Sequence, residues 1–293
     1  MTTPTSVDQQ AVCALLRDWI NPFLNDKARN WVDEKAQAIK NGSEEWVFFT
    51  SFSAVPRYTG KEELNLDARA QEAADALRPG WKAGHWSVDQ AARAIMALSV
   101  PSDDETAYFA TMTKVFNAAD IGESVALYQC LPLFPHPEGF IERAQEGLRS
   151  NLTSVFQAVA QRNPFPMEYF GENAFNQMVL KSCFVNSSLH DIMGLDQRTN
   201  ANLAHMLVDY AHERWAASRV VTPELWRPVG PFLGEDYMDD IERVLNDQDP
   251  AHQEAAALAL SMSSHTNAIE LLNTRQDLKE KIDNNQLSWS PES

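Results

Sequence analysis

Apolar positions recur along most of the chain at spacings of three and four, the period of a helix buried along one stripe. Val12, Leu15, Leu16 and Trp19 predict a helix over Asp8 to Ile20, and a second runs from Pro22 toward Lys40, closed by Asn41-Gly42. Glu44 to Ala54 is nearly all apolar and predicts a buried helix that Pro56 stops. Leu64 and Leu66 sit in a connector before a helix over Asp67–Leu77, which Pro79-Gly80 ends. Ser87 is read as the cap of Val88–Ser99, and Asp103 or Asp104 as the cap of a helix reaching Asn117. A short helix follows over Glu123–Leu131, then a long helical stretch from Glu138 to Gln161, and Asn163-Pro-Phe-Pro166 makes a rigid break. Met167 to Phe184 reads as helical with an interruption at Gly171, and Asn200 caps a helix to Ser218. Thr222-Pro223 and Asp249-Pro250 each pair an N-cap with proline at the first helical position, the second opening Ala251–Ser264. No segment alternates with period two, so strands should be few.

This pattern predicts an all-α protein of about fifteen helices joined by proline-marked turns. Asp249 to Leu260 looks like one helix of a HEAT or armadillo repeat, so the expected architecture is irregular stacked helix pairs in a HEAT/armadillo-like α-α superhelix. No clean internal period emerges, and an irregular globular helical domain is the alternative. Residues 1–273 are expected as one helical domain. The polar stretch 274–293, with Ser-Pro near its end, is expected as a loosely ordered tail.

Charge narrows the function. The 24 Lys and Arg against 41 Asp and Glu leave a formal charge of −17, which repels phosphate backbones and anionic lipid. No nucleic-acid partner and no direct membrane insertion are expected. Three cysteines, Cys13, Cys130 and Cys183, without close spacing fit a reducing compartment. The polar stretch Met1 to Gln10 reads as no signal peptide, so the expected location is cytoplasmic. Phosphate-loop, dinucleotide, zinc-protease and serine-hydrolase motifs are absent, so no catalytic residue, metal ligand or cofactor is assigned.

The remaining signal is polar residues lying among apolar ones when each helix is projected at ~100° per residue. On the Val88 helix, Trp86, Asp89, Gln90 and Arg93 form a wedge apart from the apolar face. They could make a pocket wall in which Asp89 fixes Arg93 for an anion, or simply a solvated face with one ion pair four residues apart. Arg214 projects into the apolar side of its helix and needs a carboxylate or carbonyls, and Asn176 lies among Phe175, Val179 and Leu180. His205, Asp209 and His212 form a stripe that could ligate a metal, with His190 or Asp191 as a fourth ligand, but reads better as a wet face. If the loops carrying Arg57 and His85 meet, Arg57, His85, Trp86 and Arg93 would enclose an anion-friendly aromatic concavity.

Phe52-Ser-Ala-Val-Pro-Arg57 with Gly60-Lys61, Pro79-Gly-Trp81, Trp86 to Arg93, Ala126 to Pro132 and Asn163 to Pro166 form an ordered series of distinctive segments. Asn176 to Lys181, Asp209 to Ala217 and Pro223 to Arg227 continue it. In this order they resemble the EboA-like proteins, a bacterial family. The resemblance implies a gene cluster with a UbiA-like prenyltransferase, a TatD-like hydrolase and sugar-phosphate-cyclase-like and sugar-isomerase-like proteins, a setting for making or moving a secondary metabolite. The neighbours supply catalytic folds, whereas this chain shows none. The expected function is therefore a non-catalytic binding or scaffold protein, holding a partner enzyme of the cluster or a small anionic metabolite. The alternative is an enzyme on a small anionic or prenylated metabolite with an Arg/His-lined pocket. The candidate binding residues are Arg57, His85, Trp86, Asp89, Gln90, Arg93, Asn176, His212 and Arg214.

Overall fold

The structure is a computed structural model that describes residues 7–289. Among the described residues it is all-α: eighteen α-helices joined by short turns and 3-10 segments, with one isolated bridge between Glu63 and Ser87 and no strand. The chain divides into two compact units, Met1–Phe170 and Gly171–Ser293, where one helical domain over 1–273 was expected. Unit 1 holds α1 (Gln9–Ile20), α2 (Asp26–Lys40), α3 (Glu45–Thr59), α4 (Ala68–Leu77), α5 (Val88–Leu98), α6 (Glu105–Ala118), α7 (Ile121–Gln129), α8 (Ile141–Arg149), α9 (Thr153–Ala160) and α10 (Phe165–Tyr169). Unit 2 holds α11 (Glu172–Phe184), α12 (Leu195–Arg198), α13 (Ala201–Ala216), α14 (Trp226–Val229), α15 (Met238–Leu245), α16 (Pro250–Ser261), α17 (Thr266–Asn273) and α18 (Gln276–Asp283). No helix among them is long and apolar enough to cross a membrane.

Helix starts follow local chemistry. The side chains of Asp8, Asn25, Asp67, Asp104, Asp120, Asn200 and Asp249 each accept a backbone N–H in the first turn of the helix they precede. Ser87 and Gln90 close a reciprocal capping box on α5. The helix expected from Pro22 begins instead at Asp26, because Asn25 supplies the cap and Pro22 lies in a 3-10 turn. The stretch expected as one helix from Glu138 to Gln161 is α8 and α9, separated at residues 150–152.

Pro56 does not stop α3, contrary to expectation; the helix runs through it to Thr59. Proline removes the N–H that would serve the carbonyl four residues back, here that of Phe52. Arg93 replaces it, its Nε donating to the Phe52 carbonyl at 3.3 Å. Nor is α3 buried all round: Trp46, Ser53 and Arg57 are exposed, while Phe48, Ser51, Phe52 and Val55 face the core.

The core of unit 1 is built around α5, where ten of eleven residues are buried. Its alanines at 91, 92, 94 and 97 let α1, α3 and α7 approach closely. Beside it, Trp81 meets Trp19 at 5.3 Å and Trp86 at 5.7 Å. Buried Arg78 ties its segment down by donating to the Pro132 carbonyl at 2.9 Å and pairing with Glu168. In unit 2, α16 holds the central place, burying Ala255 to Leu260 against α14, α15 and α17. Of the expected tail, residues 276–283 form α18: Leu278 is buried, and Arg275 donates to the Leu245 carbonyl at 3.2 Å and to Gln253 at 2.9 Å. Residues 290–293 of that tail, and the first six of the N-terminal stretch read for a signal peptide, lie outside the described residues.

Candidate functional site

The nine residues expected at a site divide between the units. In unit 1, Asp89 and Arg93 stand one turn apart on α5 and pair at 2.6 Å, with side chains 7% and 3% exposed. Ser87 Oγ donates to the other Asp89 oxygen at 2.6 Å, and the guanidinium carbon lies 5.6 Å from the centre of the Phe52 ring. This pair is neither a pocket wall nor a solvated face. The alanines bring neighbours onto every side of α5, and the Phe52 carbonyl vacated by Pro56 supplies the guanidinium with a second acceptor. Gln90 is engaged in the capping box, its Oε1 accepting the Ser87 N–H at 2.9 Å. Arg57 is exposed in the last turn of α3.

His85 and Trp86 line a crevice with Trp81, Lys82, Gln129 and Asn163; neither Arg57 nor Arg93 belongs to it. Gln129 Nε2 donates to His85 Nε2 at 3.1 Å. Trp81 Nε1 and Gln129 Oε1 are buried without partners among the described residues. The crevice encloses about 10 Å³, room for a water-sized group and not for a metabolite. The expected concavity of Arg57, His85, Trp86 and Arg93 is thus not assembled, because the guanidinium that was to hold the anion is neutralised by Asp89.

In unit 2, Asn176 is fully buried and forms a reciprocal amide pair with Asn200: its Nδ2 donates to Asn200 Oδ1 at 3.1 Å and its Oδ1 accepts at 3.0 Å. Asn200 also caps α13, so Asn176 fastens α11 to the start of that helix. His212 is half exposed and meets Asp240 at 2.7 Å, joining α13 to α15. Tyr237 lies in the same neighbourhood, its phenol raised by burial and then by Asp236, Asp209 and Asp240. Among the described residues no group of three or more His, Cys, Asp or Glu could hold a metal ion.

Arg214 finds its partner in its own C-terminal turn. Its Nε and Nη2 donate to the Val220 carbonyl at 3.1 and 2.8 Å. Ser218 takes the left-handed conformation at φ 57°, and the Arg219 N–H returns to the Arg214 carbonyl at 2.8 Å, a Schellman-type closure. These bonds fix the loop 218–221 that carries Arg219, Val220 and Val221.

That loop borders a groove of about 400 Å³. The volume falls within the ~300–1,000 Å³ of small-molecule sites, at the small end. Trp215 at the end of α13, Trp226 on α14, and Arg243 and Val244 on α15 line it, with Asp247, Asp249 and His252 around the start of α16. The Arg243 guanidinium carbon lies 4.2 Å from the centre of a Trp215 ring, and Trp215 stacks on Trp226 at 6.0 Å and 23°. Trp226 is fully buried, yet its Nε1–H has no acceptor among the described residues. Unlike Arg93 in unit 1, neither Arg219 nor Arg243 forms an ion pair within 4.0 Å among the described residues.

Asn176, His212 and Arg214 do not line this groove; Arg214 acts on it through the loop it holds. Arg219, Arg243 and His252 carry no signal in the sequence, because periodicity leaves them on an ordinary polar surface. Trp215 and Trp226 did fall inside two of the segments singled out earlier, Asp209–Ala217 and Pro223–Arg227. No curated protein and no solved structure matches the chain. A family model described as metabolite traffic protein EboA matches residues 12–230.

Proposed function

The chain belongs to the EboA family of metabolite traffic proteins, and from that premise we propose that it binds a small metabolite through its anionic group in the groove of unit 2 without transforming it. The observation that carries this reading is the pair of guanidiniums, Arg219 and Arg243, lining one groove without carboxylate partners in a chain of charge −17. A guanidinium is a planar five-donor group matched to carboxylate or phosphate oxygens, and one already stacked on an indole loses little freedom when an anion docks. Arg243 is held in that way by Trp215, and the backbone carrying Arg219 is fixed by Arg214. Val220, Val221 and Val244 give the ligand's apolar part a surface.

The alternative, an enzyme, calls for a histidine and a carboxylate meeting inside a pocket. His212 meets Asp240, but neither lines the groove. Ser218 and His252 do line it and, among the described residues, make no hydrogen bond to each other. Both observations support holding and releasing over acid–base chemistry.

Native mass spectrometry of the protein purified from its own source tests the reading. We expect a co-purifying small molecule on the wild-type chain that is lost from the Arg219→Ala/Arg243→Ala double variant. A wild-type protein at its bare chain mass, or a small molecule retained undiminished by the double variant, overturns it.

A further inference from the structure

The two guanidiniums are half of the groove's charge pattern. Asp247 and Asp249 line it as well. Each uses one oxygen locally: Asp247 Oδ1 accepts the Asp249 N–H at 2.9 Å, and Asp249 Oδ1 accepts the Ala251 N–H at 2.9 Å. Their Oδ2 atoms make no hydrogen bond among the described residues. Buried Arg93 and Asp89 pair at 2.6 Å in unit 1, whereas Arg219, Arg243, Asp247 and Asp249 are exposed, where water screens unlike charges and leaves each free to meet a ligand. Among the described residues no ion pair joins Arg219 or Arg243 to Asp247 or Asp249, although all four border the same 400 Å³.

Local contacts place each of the two poles. Arg243 is drawn onto the Trp215 face, and Arg219 sits on the closed turn after α13. Asp247 and Asp249 are committed to the turn that starts α16. A purely anionic ligand would satisfy the guanidiniums and leave two carboxylates facing its own charge. A dipolar ligand satisfies both poles.

Resting on the reading of this groove as the metabolite site, we propose that its ligand is an amino-acid-like zwitterion on an apolar body. Its carboxylate is taken by Arg219 and Arg243, its ammonium group by Asp247 and Asp249, and its apolar part lies against Val220, Val221 and Val244. No covalent step is involved.

Three probes that share one phenyl-bearing skeleton test this: L-phenylalanine, 3-phenylpropanoate, which lacks the amine, and 2-phenylethylamine, which lacks the carboxylate. Binding is read by quenching of tryptophan emission from Trp215 and Trp226 and by titration calorimetry on the full chain. L-phenylalanine is expected to bind more tightly than either partial probe by about tenfold, the factor that ~1.4 kcal/mol represents. Asp247→Asn/Asp249→Asn should erase the preference over 3-phenylpropanoate, and Asn keeps the α16 cap, so the fold is not at risk. Arg219→Ala/Arg243→Ala should erase the preference over 2-phenylethylamine. Equal or tighter binding of 3-phenylpropanoate overturns the zwitterion and leaves the anionic-metabolite reading standing. No binding of any probe at millimolar concentration also overturns it, whereas the wider reading falls if the native protein carries no small molecule or if the double arginine variant retains it undiminished.

Discussion

Removing Asp89 should expose how much of unit 1 depends on one buried charge pair. Asp89 and Arg93 are 2.6 Å apart with side chains 7% and 3% exposed, so Asp89→Ala leaves a guanidinium inside α5's packing with no counter-charge. Breaking a buried pair from one side destabilises by about 3–5 kcal/mol. At ~2–4 °C per kcal/mol for a chain of this size, that is a fall in Tm of about 6–20 °C. Arg93→Met removes the donor that serves the Phe52 carbonyl. Pro56→Ala restores the backbone N–H of residue 56 and, with it, the ordinary helical partner of that carbonyl. Arg93→Met should therefore be less damaging in the Pro56→Ala background than in wild type, by about 1 kcal/mol, the net value of one hydrogen bond. Urea unfolding followed by far-UV circular dichroism on the four proteins of the cycle measures this coupling. If Asp89→Ala loses less than ~1 kcal/mol, the pair is not the buried one described. If the cycle closes additively to within about 0.3–0.5 kcal/mol, Arg93 does not substitute for the missing N–H.

Gly147→Ala should lower stability by about 1–3 kcal/mol through overpacking, because its Cβ would sit 2.7 Å from the Tyr128 ring and 2.8 Å from Val159; an unchanged Tm would refute that packing. Burial pushes the Cys183 thiol up to about 12, with Glu224 adding to it, and burial also raises Cys13 and Cys130, so native protein at pH 8 should resist iodoacetamide until it is unfolded, and rapid alkylation would contradict it. Hydrogen bonds from Lys114 and Thr111 hold the exposed Glu45 carboxyl below its ordinary 4.5. Its contribution is therefore complete above that ordinary value and fades as pH falls through the lower native one. An NMR titration should find the depressed midpoint, and Lys114→Met should move it back up.

Features set by neighbours in the chain were readable in advance, and features set by neighbours in space were not. Ser87, Asp104, Asn200 and Asp249 act within three residues of themselves, so capping chemistry located those helix starts. Pro56 reads as a helix stop because its rescue comes from Arg93, 41 residues from the carbonyl it serves. The i,i+4 spacing of Asp89 and Arg93 announced their pairing, but burial depends on how many helices surround α5, which spacing does not encode. Asn176 was correctly seen as needing a partner, and the partner, Asn200, lies 24 residues away. For Arg214, a carbonyl was rightly allowed as an acceptor, but it belongs to the loop closing its own helix. The groove itself was invisible, since Arg219, Arg243 and Asp247 lie on loops or polar faces where hydrophobic periodicity is silent.

The aspartates that open helices bear on any effort to alter this molecule's charge. Asp8, Asp67, Asp104, Asp120 and Asp249 belong to the acidic surplus, yet each faces the positive end of a helix dipole. A redesign that lowered the net charge by choosing acidic surface residues at random would unravel helix starts along with the repulsion it aimed to reduce. Carboxylates away from such positions, Glu72 and Glu280 among them, are the ones to exchange.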